Sequence, residues 1–159
     1  GGLSQSRHTL AHVSEKASKM STLPAELRPI SPQVWITGRV VPEQIAGLAE
    51  AGFTCLVNHR PDGEEAGQAT AAEVAQAARG AGMRVVHAPA RGLPDAAAVA
   101  ATREALDSLG PDGKAVFFCR SGLRSAAAGA MAERLAGGDP EYLPAAAHDA
   151  GYDLGGVPL

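Results

Sequence analysis

From residue 30 onward, short apolar runs alternate with alanine-rich stretches of helical character, and the alternation predicts a repeating strand–helix order. Val34-Trp35-Ile36-Thr37 is a run of residues that pack well on a pleated surface. Residues 42–51 begin with proline, which fits the first helical turn, and stop before Gly52, so they predict a helix. Residues 53–58 predict a second strand, and a polar loop over residues 60–67 leads to a helix over residues 70–79 closed by Gly80 and Gly82. A third strand over residues 83–88 is stopped by Pro89. Residues 95–109 predict a helix capped by Asp95. The turn signal Pro111-Asp112-Gly113 introduces a fourth strand over residues 114–118, and residues 125–135 predict a helix that ends at Gly137-Gly138. Strands separated by helices of this length pair in parallel through right-handed crossovers. The expected fold class is therefore α/β, a parallel sheet with helices on both faces.

Ligands of such sheets sit beyond the C-terminal strand ends. Three segments reach that side: residues 58–65, residues 87–95 and the loop that opens at Cys119. The 159 residues, 45% of them hydrophobic, suffice for one domain with a substantial core, expected over residues 30–159. Residues 1–29 read as a linker, a tag remnant or a docking segment, in which Leu10, Val13, Ala17 and Met20 would line one face of a short helix. The start at Gly1-Gly2 suggests a tag remnant or a piece of a longer protein. A net charge of −3 offers no general attraction to nucleic acid or anionic lipid, so neither is an expected partner. No apolar stretch approaches the roughly 20 residues that span a bilayer, and the N-terminus lacks the layout of a secretory signal. Cys55 and Cys119 show no disulfide-framework spacing, so a reducing, cytoplasmic setting is expected. His, Cys and acidic residues show no metal-site spacing, and no cofactor is implied.

The chemistry concentrates in Cys119-Arg120-Ser121-Gly122-Leu123-Arg124-Ser125, at a strand-to-helix junction. There the backbone N–H groups and the positive end of the helix dipole converge on one point, which suits an anion. A free thiol, with a pKa of about 8.5, is mostly protonated at neutral pH, and its nucleophilic form is the thiolate. Helix N-terminus, loop amides, Arg120 and Arg124 all favour that form. Gly122 permits the positive φ that curls successive amides into a nest, and Arg124 presents a planar fork to an oxyanion. Ser125 is expected to cap the helix and donate to the sulfur. The catalytic candidates are thus Cys119, Arg124 and Ser125, with Arg120, Ser121, Gly122 and Leu123 as substrate-binding loop residues. Arg60 and Asp62 join the binding set from the neighbouring strand-end loop, where Arg60 and one carboxylate among Asp62, Glu64 and Glu65 would orient the active loop. His59, His87, Cys55 and Trp35 read as structural.

This loop resembles those of the rhodanese sulfurtransferases and the cysteine-dependent phosphatases. Together with Leu56-Val57-Asn58-His59-Arg60-Pro61-Asp62-Gly63-Glu64-Glu65, His87-Ala88-Pro89 and Ala150-Gly151-Tyr152-Asp153-Leu154, it is similar to the bacterial "beta-lactamase hydrolase-like, phosphatase-like" family over about residues 30–155. The resemblance implies a dual-specificity-phosphatase-like fold that occurs alone or fused to sulfide-oxidising or flavin-dependent partners. Arg39 stands where that family usually has glutamine, an added positive charge near the site.

Two features favour sulfur chemistry at this level. Four residues separate Cys119 from Arg124, the rhodanese spacing, where phosphatases of this mechanism have five. A smaller ring of amides surrounds a transferring phosphoryl group less completely. The first acidic residue after Pro89 is Asp95, a candidate general acid already assigned to a helix cap, and Asp62, from a different loop, is the other candidate. The expected activity is accordingly a sulfurtransferase that moves sulfane sulfur through a Cys119 persulfide, with a small anionic or thiol substrate. The alternatives are a phosphatase acting through a Cys119 phosphocysteine, and a non-catalytic oxyanion-binding or thiol-sensing module.

Overall fold

A computed structural model describes residues 23–159. Its elements are β1 (Arg28–Pro29), β2 (Val34–Thr37), α1 (Pro42–Glu50), β3 (Cys55–Asn58), α2 (Ala71–Gly80), β4 (Arg84–His87), α3 (Ala96–Asp107), β5 (Ala115–Phe118), α4 (Leu123–Leu135) and α5 (Tyr142–Asp149). The five strands form one sheet in the order β1-β2-β5-β3-β4. All neighbours pair in parallel except β1, which runs antiparallel to β2 with Arg28 opposite Ile36.

The helix starts follow local chemistry. Pro42 opens α1, where the Gln44 side chain accepts from the Val41 N–H at 3.0 Å. Thr70 and Glu73 cap α2 reciprocally: the threonine hydroxyl accepts from the Glu73 N–H at 3.1 Å, and the Glu73 carboxylate accepts from the Thr70 N–H at 3.0 Å. Asp95 caps α3 by accepting from the Ala98 N–H at 2.8 Å.

Strand alternation divides the core between the two faces of the sheet. Leu56, Val116 and Phe118 meet Ile45 and Leu48 of α1 and Val74 of α2 on one face. Cys55, Val57, Ala115 and Phe117 meet Ala98 and Ala105 of α3 on the other. Strand β5 lies in the middle, between β2 and β3, and all four of its residues are buried. Its C-terminal end is the best-supported point of the sheet, and Cys119 follows it.

Three expectations change. The segment assigned to a linker contributes to the domain from Leu23 on: Leu23 and Leu27 pack against the core, and β1 borders the sheet. The sheet is therefore mixed at that edge. A two-residue exposed strand carries no hydrophobic period to read. Helix α4 starts two residues earlier than the alanine run suggests, which puts Arg124 in its first turn. Helix α5 has no counterpart in the sequence reading, because Pro144 looks like a breaker, yet it occupies the first helical turn, where a missing N–H costs nothing. The proposed face Leu10, Val13, Ala17 and Met20 lies outside the described residues.

Leu56 is completely buried in the middle of β3. Leu56→Ala is expected to cost about 3 kcal/mol of unfolding free energy, read as a lower urea midpoint with an unchanged slope.

Candidate active site

The register of the sheet brings three chain segments together. Asn58 lies beside Phe118 on one side and His87 on the other. Just beyond, the His59 N–H donates to the Phe118 carbonyl at 2.8 Å, and the Ala90 N–H donates to the His59 carbonyl at 3.0 Å. The loops after β3, β4 and β5 thus leave the sheet side by side, as the strand order requires.

Cys119 is fully buried, and the Gly122 N–H donates to its Sγ at 3.1 Å. Gly122 holds φ +96° at the N-cap of α4, a left-handed conformation that turns its amide back toward the sulfur. The space a side chain would need at Gly122 is taken: a Cβ there would lie 2.8 Å from Cε1 of Tyr152. At Gly38, a Cβ would lie 2.7 Å from the Glu26 carboxylate and 3.1 Å from the Arg120 carbonyl. The cysteine loop is consequently packed between Gly38 and Tyr152. Burial, reinforced by the nearby Cys119 and Glu26, raises the Tyr152 phenol above its ordinary range.

Arg124 is held on two sides. One of its nitrogens donates to the Ala90 carbonyl, and Nη2 meets both carboxylate oxygens of Glu64, at 2.9 and 2.8 Å. Glu64 also accepts from Nε of Arg60 at 3.0 Å, and Arg60 Nη2 reaches Glu65 at 2.6 Å. Arg39 forks onto the two Glu65 oxygens at 2.6 and 2.9 Å, with Arg120 Nε 3.7 Å away. These cations hold both carboxyls down: Arg124 is the main cause at Glu64, and Arg39 is the main cause at Glu65, which falls to about 2.

Beneath the loop, Ser125, His59 and Thr102 form a buried chain. The Thr102 hydroxyl donates to the Ala98 carbonyl at 2.8 Å, so its oxygen accepts from Nε2–H of His59 at 2.9 Å. Nδ1 is then the acceptor for the Ser125 hydroxyl at 2.7 Å. The Ser125 proton is committed to His59, which corrects the expectation that it donates to the sulfur.

The remaining candidates separate. Arg120, Ser121 and Leu123 are exposed around the loop. Arg60 is buried and engaged by Glu64 and Glu65, while its carbonyl accepts from His87 Nε2 at 2.7 Å, so with both carboxylates in place its guanidinium is fully occupied and organises the site. Asp62 accepts from the Ala71 N–H at 2.7 Å at the start of α2, away from the arginine cluster. Asp62 and Asp95 both line a groove of about 440 Å³ with His87, Pro89 and Ala90. Sequence reasoning pointed to a carboxylate on the loop after β3 but could not select Glu64, and it gave Tyr152 and Glu26 no role. Cys55 is core, as read, and burial raises its thiol. Among the described residues, no group of three His, Cys, Asp or Glu side chains is arranged to hold a metal ion, and no helix is long and apolar enough to cross a membrane.

His59 is held far below its ordinary 6.5, at about 3, first by burial and then by the charges of Arg124 and His87. Below pH 6.5 the unfolded chain takes up a proton that the folded chain refuses until about pH 3, so stability is complete above 6.5 and falls as pH drops through this window. Glu64 and Glu65 add their own loss only below their ordinary 4.5. The melting temperature should therefore decline between pH 6.5 and 5 in the parent protein and stay nearly flat over that interval in His59→Gln. Equal slopes in thermal scans would remove His59 as the cause.

Residues 26–136 match the family described as "Beta-lactamase hydrolase-like protein, phosphatase-like domain". The fold is similar to a candidate phosphatase from Neisseria meningitidis, with 23% identity, a TM-score of 0.67, and coverage of 81% of this chain and 91% of that one. A candidate phosphatase from Shewanella putrefaciens gives 19% identity and a TM-score of 0.63 over 83% of both chains. The core catalytic domain of a PP-IP phosphatase from S. cerevisiae gives 12% identity and a TM-score of 0.56 over 80% of this chain and 76% of that one. A search of the curated proteins finds no match. The phosphatase-like family overturns the sulfurtransferase expectation. The spacing between Cys119 and Arg124 did not decide the reaction class; Arg124 stands in the first turn of α4 and is held there by Glu64. With its cysteine loop, its mostly parallel sheet and the match over most of its length, the chain belongs to the phosphatase-like family of beta-lactamase hydrolase-like proteins.

Proposed function

We propose that the protein hydrolyses phosphate esters through a phosphocysteine on Cys119. The observation that carries this reading is the placement of the sulfur at the head of α4, with the Gly122 N–H aimed at it and Arg124 fixed nearby. The thiolate attacks phosphorus, an S–P bond forms, and the ester P–O bond breaks with its electron pair going to the leaving oxygen. Loop amides of Arg120 to Leu123 and the Arg124 guanidinium stabilise the charge on the transferring group. Water then cleaves the S–P bond, releasing phosphate and restoring the thiolate. Ser125 acts as an anchor of the loop through His59.

The leaving oxygen needs a proton, and the groove holding Asp62 and Asp95 supplies the acid. Asp95 is our choice, since it lies on the same loop as Ala90, which holds Arg124. Its cap contact with Ala98 uses one carboxylate oxygen and leaves the other available. Both cysteines are free thiols, which supports a reducing compartment such as the cytoplasm.

Cys119→Ser should abolish release of phosphate from p-nitrophenyl phosphate, and Arg124→Lys should lower kcat/KM about 100-fold. Phosphate binding without any turnover in the parent protein would overturn the catalytic reading. Asparagine is also a good helix cap, so Asp95→Asn removes the acid and keeps the cap. It should cut kcat on an alkyl phosphate by about 100-fold and leave an aryl phosphate with a good leaving group much less affected. Equal losses on both would remove Asp95 as the acid.

A further inference from the structure

Four guanidiniums, from Arg39, Arg60, Arg120 and Arg124, share two carboxylates in this site, and the two carboxylates divide them unequally. Glu64 joins Arg124 to Arg60, while Glu65 sits among Arg39, Arg60 and Arg120. Arg60 contacts both, Glu64 through Nε and Glu65 through Nη2, so the two anion positions lie one guanidinium apart. The Glu65 position is a built one. The Arg60 side chain is only 6% exposed, and a hollow of about 200 Å³ opens onto Arg39, Arg60 and Glu65 between Val40, Gln68 and Phe118. The outer two cations are accessible, with the side chains of Arg39 and Arg120 53% and 54% exposed. Glu65 rides on a short turn bracketed by Gly63 and Gly67, at φ +73° and +76°, conformations that leave the turn free of bulky side chains at both ends.

Resting on the phosphatase reading, we infer that Arg39, Arg60 and Arg120 form a second anion subsite beside the Cys119 loop, held by Glu65 and yielded to a substrate that carries two closely spaced anionic groups. The substrate class is a small diphosphate or vicinal bisphosphate. One group meets the cysteine loop and Arg124, and the other displaces the Glu65 carboxylate. Guanidiniums suit this exchange, because their planar forks accept a phosphoryl group in the same geometry as a carboxylate. Glu64 stays in place and keeps Arg124 oriented. A second group held on the non-reacting part of the substrate contributes chiefly to binding, so the subsite sets preference among phosphate esters and leaves the cysteine chemistry unchanged.

The test is equilibrium binding of inorganic pyrophosphate and orthophosphate, by calorimetry, to the full chain carrying Cys119→Ser. The quantity read is the ratio of the two dissociation constants. Adding Arg39→Gln should reduce the preference for pyrophosphate about tenfold, and adding Glu65→Gln, which removes the internal competitor, should increase it severalfold. Arg79→Gln removes the same charge from the end of α2 and should leave the ratio unchanged. An Arg39→Gln ratio equal to that of Arg79→Gln overturns the subsite, and since Arg39 is exposed this arm decides even if Glu65→Gln does not fold. Hydrolysis of p-nitrophenyl phosphate by the parent protein is measured alongside. Cys119-dependent turnover with flat ratios rejects the subsite and keeps the phosphatase reading; shifted ratios without turnover of any ester do the reverse.

Discussion

The clasp of Glu64 on Arg124 is the contact on which the rest of the site depends. It joins the first turn of α4 to a loop 60 residues earlier in the chain, and the Ala90 carbonyl closes it from the third loop. Partly buried ions lose hydration, and the loss is offset only when every charge has close partners. Here the offset is extended through Arg60 to Glu65 and Arg39, so that each carboxylate serves more than one cation. The site is therefore organised as a network of ions instead of isolated pairs. Removal of one member leaves its neighbours short of charge as well as of a hydrogen bond.

A second, uncharged network supports the same loop from below. His59 stays neutral at the centre of it, and with Nε2 donating and Nδ1 accepting it fixes the direction of every hydrogen bond from Ser125 to Ala98. The fold thus separates two tasks. Charged groups at the strand ends hold Arg124, and a neutral chain beneath the cysteine loop locates the start of α4. Both rest on β5, whose place beside β3 brings the loop after β3, with His59, Arg60 and Glu64, next to the cysteine loop.

Much of this was legible in the chain. Four strands appear as apolar runs, Asp95 announces its helix, and the cysteine loop stands out because strand, turn and helix signals coincide there. What escaped has physical reasons. The exposed residues of β1 carry no period, and Pro144 looks the same in a loop as in a first helical turn. Three carboxylates on one loop are indistinguishable until the backbone turns at Gly63, which sends Asp62 to the N-terminus of α2 and Glu64 to Arg124. Ser125 looked like a partner of the sulfur because the two are near in sequence, whereas His59 claims it from the end of the neighbouring strand. The reaction class was misread for the same kind of reason: residue counts measure contour length, and the position of Arg124 is set by the helix start and by tertiary ion pairs.

Tyr152 gives the site a temporal property. Its ring occupies the space beside Gly122 that holds the loop in its left-handed turn, and it comes 30 positions after Gly122 in the chain. On a ribosome, Cys119, Arg124 and the whole sheet are synthesised well before that ring is available. Cys119 consequently reaches its final setting only when α5 and the turn after it have docked, and a chain stopped before Tyr152 carries the thiol without this support.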